Sequence, residues 1–348
     1  MQKNKVFFIH PKVNNLNEFI KYLHIKNTSL SDNLVWDKEN PDYLFVSECI
    51  YTITKQFQLF KKLYSQDRII IGVIWECASP DLNMFDYALS YDKKMHSSDR
   101  LFRLMPYFMF FDYDINICRN EFTIERAERE LNKKMGFCNF IYSNPQAYYL
   151  RDRIFYKVSS YKKVDALGIH LNNSNVQPTR SDTNWKQKSI ELKSKYKFSI
   201  AAENAKFSGY SSEKLLTSYM AHSIPIYFGD PEICNDYNEK SFVLVTDEMS
   251  LDLALEKIIN IDNNDDLWMK MIREPWMTEE QIQNAIKSYQ DYIKFLNNIF
   301  KMPKESAIRR PRGSFIDNYA LWFFRKYKYK KLTLKNIKRK IRLIMKKG

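Results

Sequence analysis

Glycine, cysteine and histidine are scarce in this chain, and their scarcity excludes several kinds of site. Seven glycines, five cysteines and five histidines occur among 348 residues. The cysteines are odd in number and scattered, without the C-x-x-C spacing of zinc or redox sites, and the histidines are isolated. We therefore expect free thiols in a reducing cytoplasm, no disulfide framework, no metal site and no metal cofactor.

Long apolar runs are missing as well. No stretch has the length of a transmembrane helix, and the apolar run VFFI near the amino terminus is too short for the hydrophobic part of a secretory signal. We therefore expect a cytoplasmic protein without a membrane span.

Acidic residues are almost absent from one region only. The net charge of the chain is +14, and residues 309–348 contain fifteen lysines and arginines but a single acid, Asp317. The first 308 residues are therefore neutral as a group. This distribution argues against a general affinity of the folded body for nucleic acid.

The basic tail carries an apolar pattern of its own. Leu334, Ile337, Ile341 and Ile344 recur with helical spacing among lysines and arginines, and an aromatic segment, residues 315–324, precedes them. A basic amphipathic helix of this kind predicts peripheral binding to an anionic membrane surface, here the inner face of the cytoplasmic membrane. A disordered solubilising tail and a nucleic-acid arm are the alternatives.

Short apolar runs alternate with helical patterns along the rest of the chain. This alternation predicts a doubly wound α/β fold. The most apolar run, residues 68–75, suits a central parallel strand that is covered on both faces. The predicted strands are residues 5–10, 43–47, 68–75, 138–143, 198–202, 224–228 and 242–246, and the predicted helices include residues 51–64, 213–222, 251–259 and 279–300.

One strand–loop–helix–strand unit, residues 198–231, concentrates polar chemistry. Ser211 or Ser212 is expected to cap its helix. Glu213 and Lys214 stand at the helix N-terminus, where free N–H groups and the helix dipole favour an anion such as a diphosphate. The alternative is a capped helix with an ordinary surface ion pair.

Glu76 directly follows the most apolar predicted strand. Parallel sheets bind ligands beyond the carboxyl ends of their strands, so a carboxylate in this position is a candidate general base if burial raises its pKa toward neutrality. The alternative is a loop glutamate that faces water.

The unit at residues 198–231 resembles the donor-binding motif of glycosyltransferase family 10, the GDP-fucose-dependent α-1,3/4-fucosyltransferases, which includes bacterial members. That motif reads F-E-N, a short spacer, G-Y-x-T-E-K, a helix and I-P-I-Y-W-G-x-P. Ala202, Ser212 and Phe228 replace the Phe, Thr and Trp of the family. The matching residues are Glu203, Asn204, Gly209, Tyr210, Glu213, Lys214, Ile224, Pro225, Ile226, Tyr227, Gly229 and Pro231.

A second segment, WECASPDLNMFDYALSYD, is similar to the acceptor-domain motif of the same family, G-E-N-x-x-P-D/N-F-N-x-x-D-Y-A-x-x-F-D. The match implies that Glu76 is the catalytic base. Trp75 and Cys77 replace the usual Gly and Asn. The match also suggests the acceptor-side candidates Asp81, Asn83, Asp86 and Tyr87. Residues 99–106 resemble the D-x-x-x-R-x-P stretch of the family with one residue extra, which adds Arg103 as a candidate, and a surface loop cation is the alternative. Glu203 of the donor motif is a further, secondary candidate.

A third segment, residues 143–168, resembles the part of the family in which an arginine contacts the donor diphosphate. Arg151 takes that place here, with Arg153 as the alternative. A guanidinium presents a fork of donors that matches phosphate oxygens. The resemblance implies that Arg151, Asn204, Tyr210, Glu213 and Lys214 bind the donor.

The resemblance implies a GT-B architecture with two Rossmann-like domains that face a cleft. Residues 1–160 would bind the acceptor, residues 161–302 would bind GDP-fucose, and residues 303–348 would form the basic tail. The implied reaction is inverting, metal-independent transfer of L-fucose to the 3-OH of N-acetylglucosamine in an N-acetyllactosamine-type glycan such as lipopolysaccharide. A different donor or acceptor, or a non-catalytic glycan- or nucleotide-binding protein, are the alternatives.

Overall fold

The computed structural model describes residues 3–26, 28–95, 98–103, 105, 114–174, 184–311, 313–314 and 317–325. These residues form two units, each with a parallel sheet. The first unit contains the described residues up to Ser90, residues Met95–Phe102 and those from Ile293 onward, and the second contains Tyr91–Lys94 and Arg103–Tyr292. The expected α/β fold class, with two Rossmann-like sheets, is confirmed.

The sheet of the first unit has six strands in the order β2-β1-β3-β4-β5-β6. Central strands β3 and β4 pair in parallel from Tyr43↔Ile69 to Ser47↔Val73, and every residue of both strands is buried, as the apolar run predicted. The strands are β1 Asn4–Ile9, β2 Leu34–Trp36, β3 Tyr43–Ser47, β4 Ile69–Ile74, β5 Tyr87–Ser90 and β6 Leu101–Arg103.

Helices cover this sheet on the side where a cluster of large apolar residues lies. Phe57 and Phe60 are buried on the inner face of one helix and pack in a core with Ile70 and Phe85. The helices of this unit are α1 Leu16–Tyr22 and α2 Thr54–Leu63, together with the helical residues 317–325 and one short helix named below.

The sheet of the second unit has five strands in the order β11-β10-β9-β7-β8. Strand β9 is central and pairs in parallel with β10 from Phe198↔Ile224 to Ala202↔Phe228. The strands are β7 Gly136–Phe140, β8 Val164–Ala166, β9 Tyr196–Ala202, β10 Ile224–Phe228 and β11 Val243–Leu244.

The helices of the second unit pack around a core that includes the fully buried Trp268. A long helix then carries the chain from this unit back to the first. In chain order the helices are α3 Ile124–Asn132, α4 Leu150–Ser159, α5 Trp185–Lys193, α6 Glu213–Met220, α7 Leu251–Asp262, α8 Asp265–Ile272, the long α9 Glu279–Lys301 and the short α10 Lys304–Ala307 of the first unit.

The structure divides the chain at other places than the expected 160/161 and 302/303. Strand β7, which the sequence analysis assigned to the first domain, lies inside the second sheet between β8 and β9. The chain also returns to the first unit at Ile293, within a helix. Each unit combines segments that are distant in the chain, because strand pairing brings them together. A single boundary along the sequence therefore cannot separate the two units.

The aromatic segment 315–324 was expected to face a membrane, and its described residues, 317–324, differ from that expectation. Phe323 and Phe324 are buried in the core of the first unit, and the ring of Phe324 contacts Phe57 and Phe60 at centroid distances of 5.6 Å. Trp322 alone of the aromatic residues at positions 322–324 is exposed. The folded body therefore extends to at least residue 325, and the apolar pattern at residues 334–344 lies outside the described residues.

A buried ion pair holds this returning segment to the sheet. Asp86 is fully buried, and its carboxylate accepts hydrogen bonds from the amides of Ile70 (2.7 Å), Arg309 (2.8 Å) and Arg310 (2.9 Å). The Arg310 side chain, also buried, lies 3.0 Å from the same carboxylate. Arg309 and Arg310 were expected to belong to the basic tail, residues 303–348. The structure shows that these two residues are part of the folded first unit.

Replacing Asp86 with Asn should lower the free energy of unfolding by about 3–5 kcal/mol, because the change leaves the buried Arg310 without its counter-ion. Urea unfolding followed by circular dichroism measures the loss. Asp99→Asn is the matched control, since Asp99 pairs with Arg309 at the surface and such pairs contribute about 1 kcal/mol or less. Equal losses in the two variants would contradict this account.

Candidate active site

The strand order of the second sheet reverses at β7, with β8 on one side and β9 on the other. In an open parallel sheet, ligands bind beyond the carboxyl ends of the strands at such a reversal. The reversal lies between β7 and its neighbour β9. The segments that follow the carboxyl ends of β7 and β9 begin with Ile141 and Glu203.

Arg151, in the first turn of α4, joins these two segments. Its guanidinium donates to the carbonyl oxygen of Asn144 (2.7 Å) and to Oδ1 of Asn204 (3.4 Å), and it lies 4.8 Å from the ring centre of Tyr142. Arg151 is fully buried, whereas Arg153 is exposed and pairs with Glu248. The structure thus brings Arg151 to the carboxyl edge of the sheet and places Arg153 in a surface ion pair.

Glu203 anchors the start of helix α6. Its fully buried carboxylate accepts from the amide of Ser212 (2.6 Å), from the hydroxyl of Ser212 (2.8 Å) and from Nζ of Lys214 (3.0 Å). Ser212 occupies the expected capping position, but its hydroxyl donates to Glu203 and makes no capping bond within the helix. Glu203, a secondary candidate from the sequence, is therefore a structural residue of this loop.

Lys214 keeps its positive charge in this setting. Burial acts to lower the pKa of Lys214, but the carboxylates of Glu203 and Glu213 outweigh burial and raise it. For Glu213, burial acts to raise the pKa, and Lys214 with the helix N-terminus outweighs it and lowers the pKa. A partly accessible ammonium and a partly accessible carboxylate thus stand side by side at the beginning of α6.

Two glycines permit this geometry. A Cβ atom on Gly229 would lie 2.5 Å from Cγ of Glu203, so only glycine leaves space for the buried carboxylate. Gly209 has φ of +89°, and a Cβ atom there would lie 2.0 Å from the carbonyl oxygen of Tyr91. Both match glycines of the motif.

Tyr210 lies on the same loop, and Arg103, at the end of β6, binds to that loop. The ring of Tyr210 is buried against Tyr91, with centroids 5.6 Å apart. Arg103 donates to the carbonyl oxygen of Gly209 (3.3 Å) and forms an ion pair with Asp236. We expected Arg103 on the acceptor side, and the structure instead gives it a part in holding the 209–210 loop of the second unit.

Lys193 was missed by the sequence analysis. It ends α5, is 4% exposed, and its Nζ donates to Oγ1 of Thr217 (2.7 Å) and Oγ of Ser218 (3.1 Å) on the inner face of α6. Burial lowers the pKa of Lys193 to about 7, although Glu213 opposes this effect. Nothing in its local sequence, KSIELKSKY, distinguishes it from a surface lysine.

In the first unit, Glu76 follows β4 at the carboxyl edge of the sheet, as expected. Its side chain is exposed, so burial does not prepare it as a base. Burial affects a different carboxyl, that of the half-buried Glu48, which follows the neighbouring strand β3. Burial raises the pKa of Glu48 to about 7, and the negative charge of Glu76 adds to the effect. The sequence analysis did not select Glu48.

The other acceptor-side candidates do not lie beside Glu76. Asp86 and Tyr87 stand at the amino end of β5, the opposite edge of the sheet, and both are buried. Asp81 accepts a hydrogen bond from the hydroxyl of Tyr319 (2.7 Å) and from the amide of Asn83 (3.0 Å) in a turn. These residues shape the segment between β4 and β5, so the structure favours structural roles for them over acceptor contacts.

No group of three or more His, Cys, Asp and Glu side chains with metal-binding geometry occurs in the part of the chain that the structure describes. The same described residues contain no helix with the length and apolar character needed to cross a bilayer.

The polar groups around Arg151, Glu203 and Lys214 fall within the part of the chain that a family model matches. Residues 131–307, just over half of the chain, match the model of the C-terminal part of glycosyltransferase family 10 (fucosyltransferase). The chain belongs to glycosyltransferase family 10.

Curated relatives carry the family's activity in their names. The chain is 40% identical over 149 residues to a provisionally named fucosyltransferase of Acanthamoeba polyphaga mimivirus, an alignment that covers 42% of this chain and 24% of the viral protein. It is 28% identical over 238 residues to an α-(1,3)-fucosyltransferase of Helicobacter pylori, with coverage of 57% and 45%. This family 10 chain thus spans less than half the length of either relative.

Solved structures of an α1,3-fucosyltransferase share the fold. The protein alone matches with a TM-score of 0.68 and 21% identity over 90% of this chain and 93% of that one. Its complex with GDP-fucose matches with a TM-score of 0.64 and 22% identity, over 89% and 93%. The GT-B class of this family 10 member is therefore shown at the level of the fold.

Lys193→Met should change how stability depends on pH. Between pH 7 and 10.5 the unfolded chain binds a proton at Lys193 that the folded protein lacks, so this residue makes the folded state less stable as pH falls through that range. The free energy of unfolding of the wild type, relative to Lys193→Met, should rise by about 2–3 kcal/mol from pH 7 to pH 9.5.

Urea unfolding at both pH values measures this difference. Lys195→Met, a change of an exposed lysine two residues away, is the control and should follow the wild type at both values. A constant difference between wild type and Lys193→Met would show that Lys193 is charged in the folded protein at pH 9.5.

Proposed function

We propose that this protein is an inverting, metal-independent α-1,3-fucosyltransferase. It would move L-fucose from GDP-fucose to the 3-OH of N-acetylglucosamine in an N-acetyllactosamine-type glycan, such as a bacterial lipopolysaccharide. Membership of family 10 supports fucosyl transfer, and the name of the Helicobacter pylori relative supports the α-1,3 type. The choice of acceptor rests on analogy within the family.

One observation carries the donor part of this proposal. Two cationic side chains, Arg151 and Lys214, stand at the carboxyl edge of the second sheet at its strand reversal. The guanidinium of Arg151 is held by Asn144 and Asn204, and the ammonium of Lys214 by the buried carboxylate of Glu203. Fixed positive charge in such a place suits a diphosphate. Asn204 and Tyr210 lie on the same loop, and Glu213 offers a carboxylate for sugar hydroxyls. The complex of a protein of this fold with GDP-fucose gives the donor its identity in the proposal.

In the reaction we propose, the acceptor hydroxyl attacks the anomeric carbon of fucose in a single displacement. Glu76 takes the proton of that hydroxyl while the bond between the anomeric carbon and the diphosphate oxygen breaks. The electron pair of the broken bond stays on GDP, whose added negative charge Arg151 and Lys214 stabilise. Electrostatic stabilisation of this kind contributes a large part of many enzymatic rate enhancements.

Turnover with GDP-fucose and N-acetyllactosamine, with and without EDTA, tests the proposal in the wild type and three variants. Glu76→Gln should reduce kcat about 100-fold or more with unchanged GDP affinity, since general-base catalysis contributes about 10²–10⁴-fold. Arg151→Lys should weaken GDP binding about tenfold, because a lysine cannot reproduce the fork of the guanidinium. Arg153→Lys is its matched control and should bind GDP like the wild type. EDTA should leave the rate unchanged.

Other outcomes overturn parts of the proposal. Transfer from another nucleotide sugar, but not from GDP-fucose, would replace the donor. Binding of GDP without transfer from any donor would make the chain a nucleotide- or glycan-binding protein. Full activity of Glu76→Gln would exclude Glu76 as the base, and loss of activity with EDTA would exclude metal-independent transfer.

We also propose that the basic segment after residue 325 holds the enzyme on the inner face of the cytoplasmic membrane. Residues 326–348 contain eleven of the basic side chains of the tail and no acid, with an apolar stripe between them. Each basic residue near an anionic surface contributes about 1 kcal/mol. Removal of residues 326–348 retains the buried pair Phe323 and Phe324, so the folded body should stay intact.

Co-sedimentation with vesicles rich in phosphatidylserine tests this location. The full chain should bind and should be released by high salt, because salt screens the attraction. The shortened chain should stay in solution but keep its turnover with a soluble acceptor. Equal binding of both chains, or binding of the full chain to RNA in place of vesicles, would contradict the membrane proposal.

A further inference from the structure

The strand order of the first sheet also reverses, at β1, with β2 on one side and β3 on the other. Glu48 directly follows β3 and so lies at this reversal. The hydroxyl of Ser47 donates to the carbonyl oxygen of Ile9 (2.9 Å), which fixes the end of β3 to the end of β1. Glu48 thus starts from a fixed backbone at the edge where a parallel sheet binds its ligands.

Glu48 contacts the segment that carries the proposed base. Its Oε2 accepts a hydrogen bond from the amide of Trp75 (3.3 Å), the residue immediately before Glu76. Because β3 and β4 are neighbours in parallel register, with Ser47 opposite Val73, both carboxyls leave the same edge of the sheet. The side chain of Glu48 is therefore linked to Glu76 through a hydrogen bond to the residue that precedes Glu76.

Other groups around Glu48 are aromatic or ionisable. Tyr22 comes from α1, and its pKa is raised first by burial and then by the charges of Glu48, Cys49 and Glu76. The ring of His10, from the end of β1, lies 4.6 Å from the ring of Tyr22. Burial and then the charge of the nearby Lys12 lower the pKa of His10 to about 4, so His10 is neutral at pH 7.

We propose that Glu48 is a positioning residue for the reaction: it holds the Trp75–Glu76 backbone and sets the charge next to the carboxylate that receives the acceptor's proton. This inference rests on the proposed function, because Glu48 acts through Glu76.

The charge of Glu48 changes in the physiological range. Burial raises its pKa to about 7, with the negative charge of Glu76 as a further cause. Below this pH Glu48 is neutral, and above it a second negative charge stands close to the proton-accepting carboxylate. Since a negative charge favours the arrival of a proton, transfer should become faster as pH rises through about 7.

The pH profile of kcat/KM for fucosyl transfer tests this role in the wild type and three variants. The wild type should rise on the order of threefold across pH 6 to 8. Glu48→Gln keeps an oxygen for the Trp75 amide but cannot ionise, so its profile should be flat in this range. Glu48→Ala should be slower at every pH because it also loses the hydrogen bond. Glu39→Gln, a change of an exposed glutamate in the same unit, should keep the wild-type profile.

A Glu48→Gln profile that rises like the wild type would overturn the inference, even if Glu48→Gln is less stable. A second measurement separates this failure from failure of the proposed function. In carboxyl ¹³C NMR of glutamate-labelled protein, the resonance missing from Glu76→Gln should shift near pH 7 in the wild type and not in Glu48→Gln. If the wild type transfers no fucose, the proposed function fails, and absence of this shift still overturns the coupling between the two carboxyls.

Discussion

The second unit depends on one buried carboxylate, Glu203. It follows the end of the central strand β9 and binds the backbone of Ser212 and the ammonium of Lys214. A hydrogen bond and an ion pair therefore hold the start of α6 against the end of this strand. A buried carboxylate without partners costs several kcal/mol, which makes this arrangement of donors a condition of folding and not a local detail. The requirement for glycine at position 229 and the lost capping bond of Ser212 both follow from it.

The first unit depends on the same kind of interaction at the opposite end of its strands. Asp86 binds the amide of Ile70 in β4 and the backbone and side chain of Arg310, which lies more than 200 residues later in the chain. The ionic anchor therefore lies at the amino edge of the sheet, while Glu48 and Glu76 lie at the carboxyl edge. This separation leaves the carboxyl edge free of the structural ion pair and available for chemistry.

The residues of the donor motif come together in the structure more than those of the acceptor motif do, and the physical reason lies in how each motif folds. The donor motif is contiguous around one β9–α6–β10 unit, so its residues come together locally: Lys214 and Gly229 both lie against Glu203. The acceptor motif crosses from the carboxyl end of β4 to the amino end of β5. Its residues are therefore spread over two edges of the sheet, and sequence proximity does not translate into spatial proximity.

The sequence by itself determined the family, the alternation of strands and helices, and the positions of the strands with continuous apolar runs, because these depend on local patterns and short motifs. Only the tertiary structure decided which sheet β7 joins, that Phe323, Phe324 and Arg310 belong to the folded body, and that the pKa values of the buried Lys193 and the half-buried Glu48 are shifted by their surroundings. Burial and charge at these positions come from segments that are far apart in the chain. The residues adjacent in sequence therefore do not reveal this burial and charge.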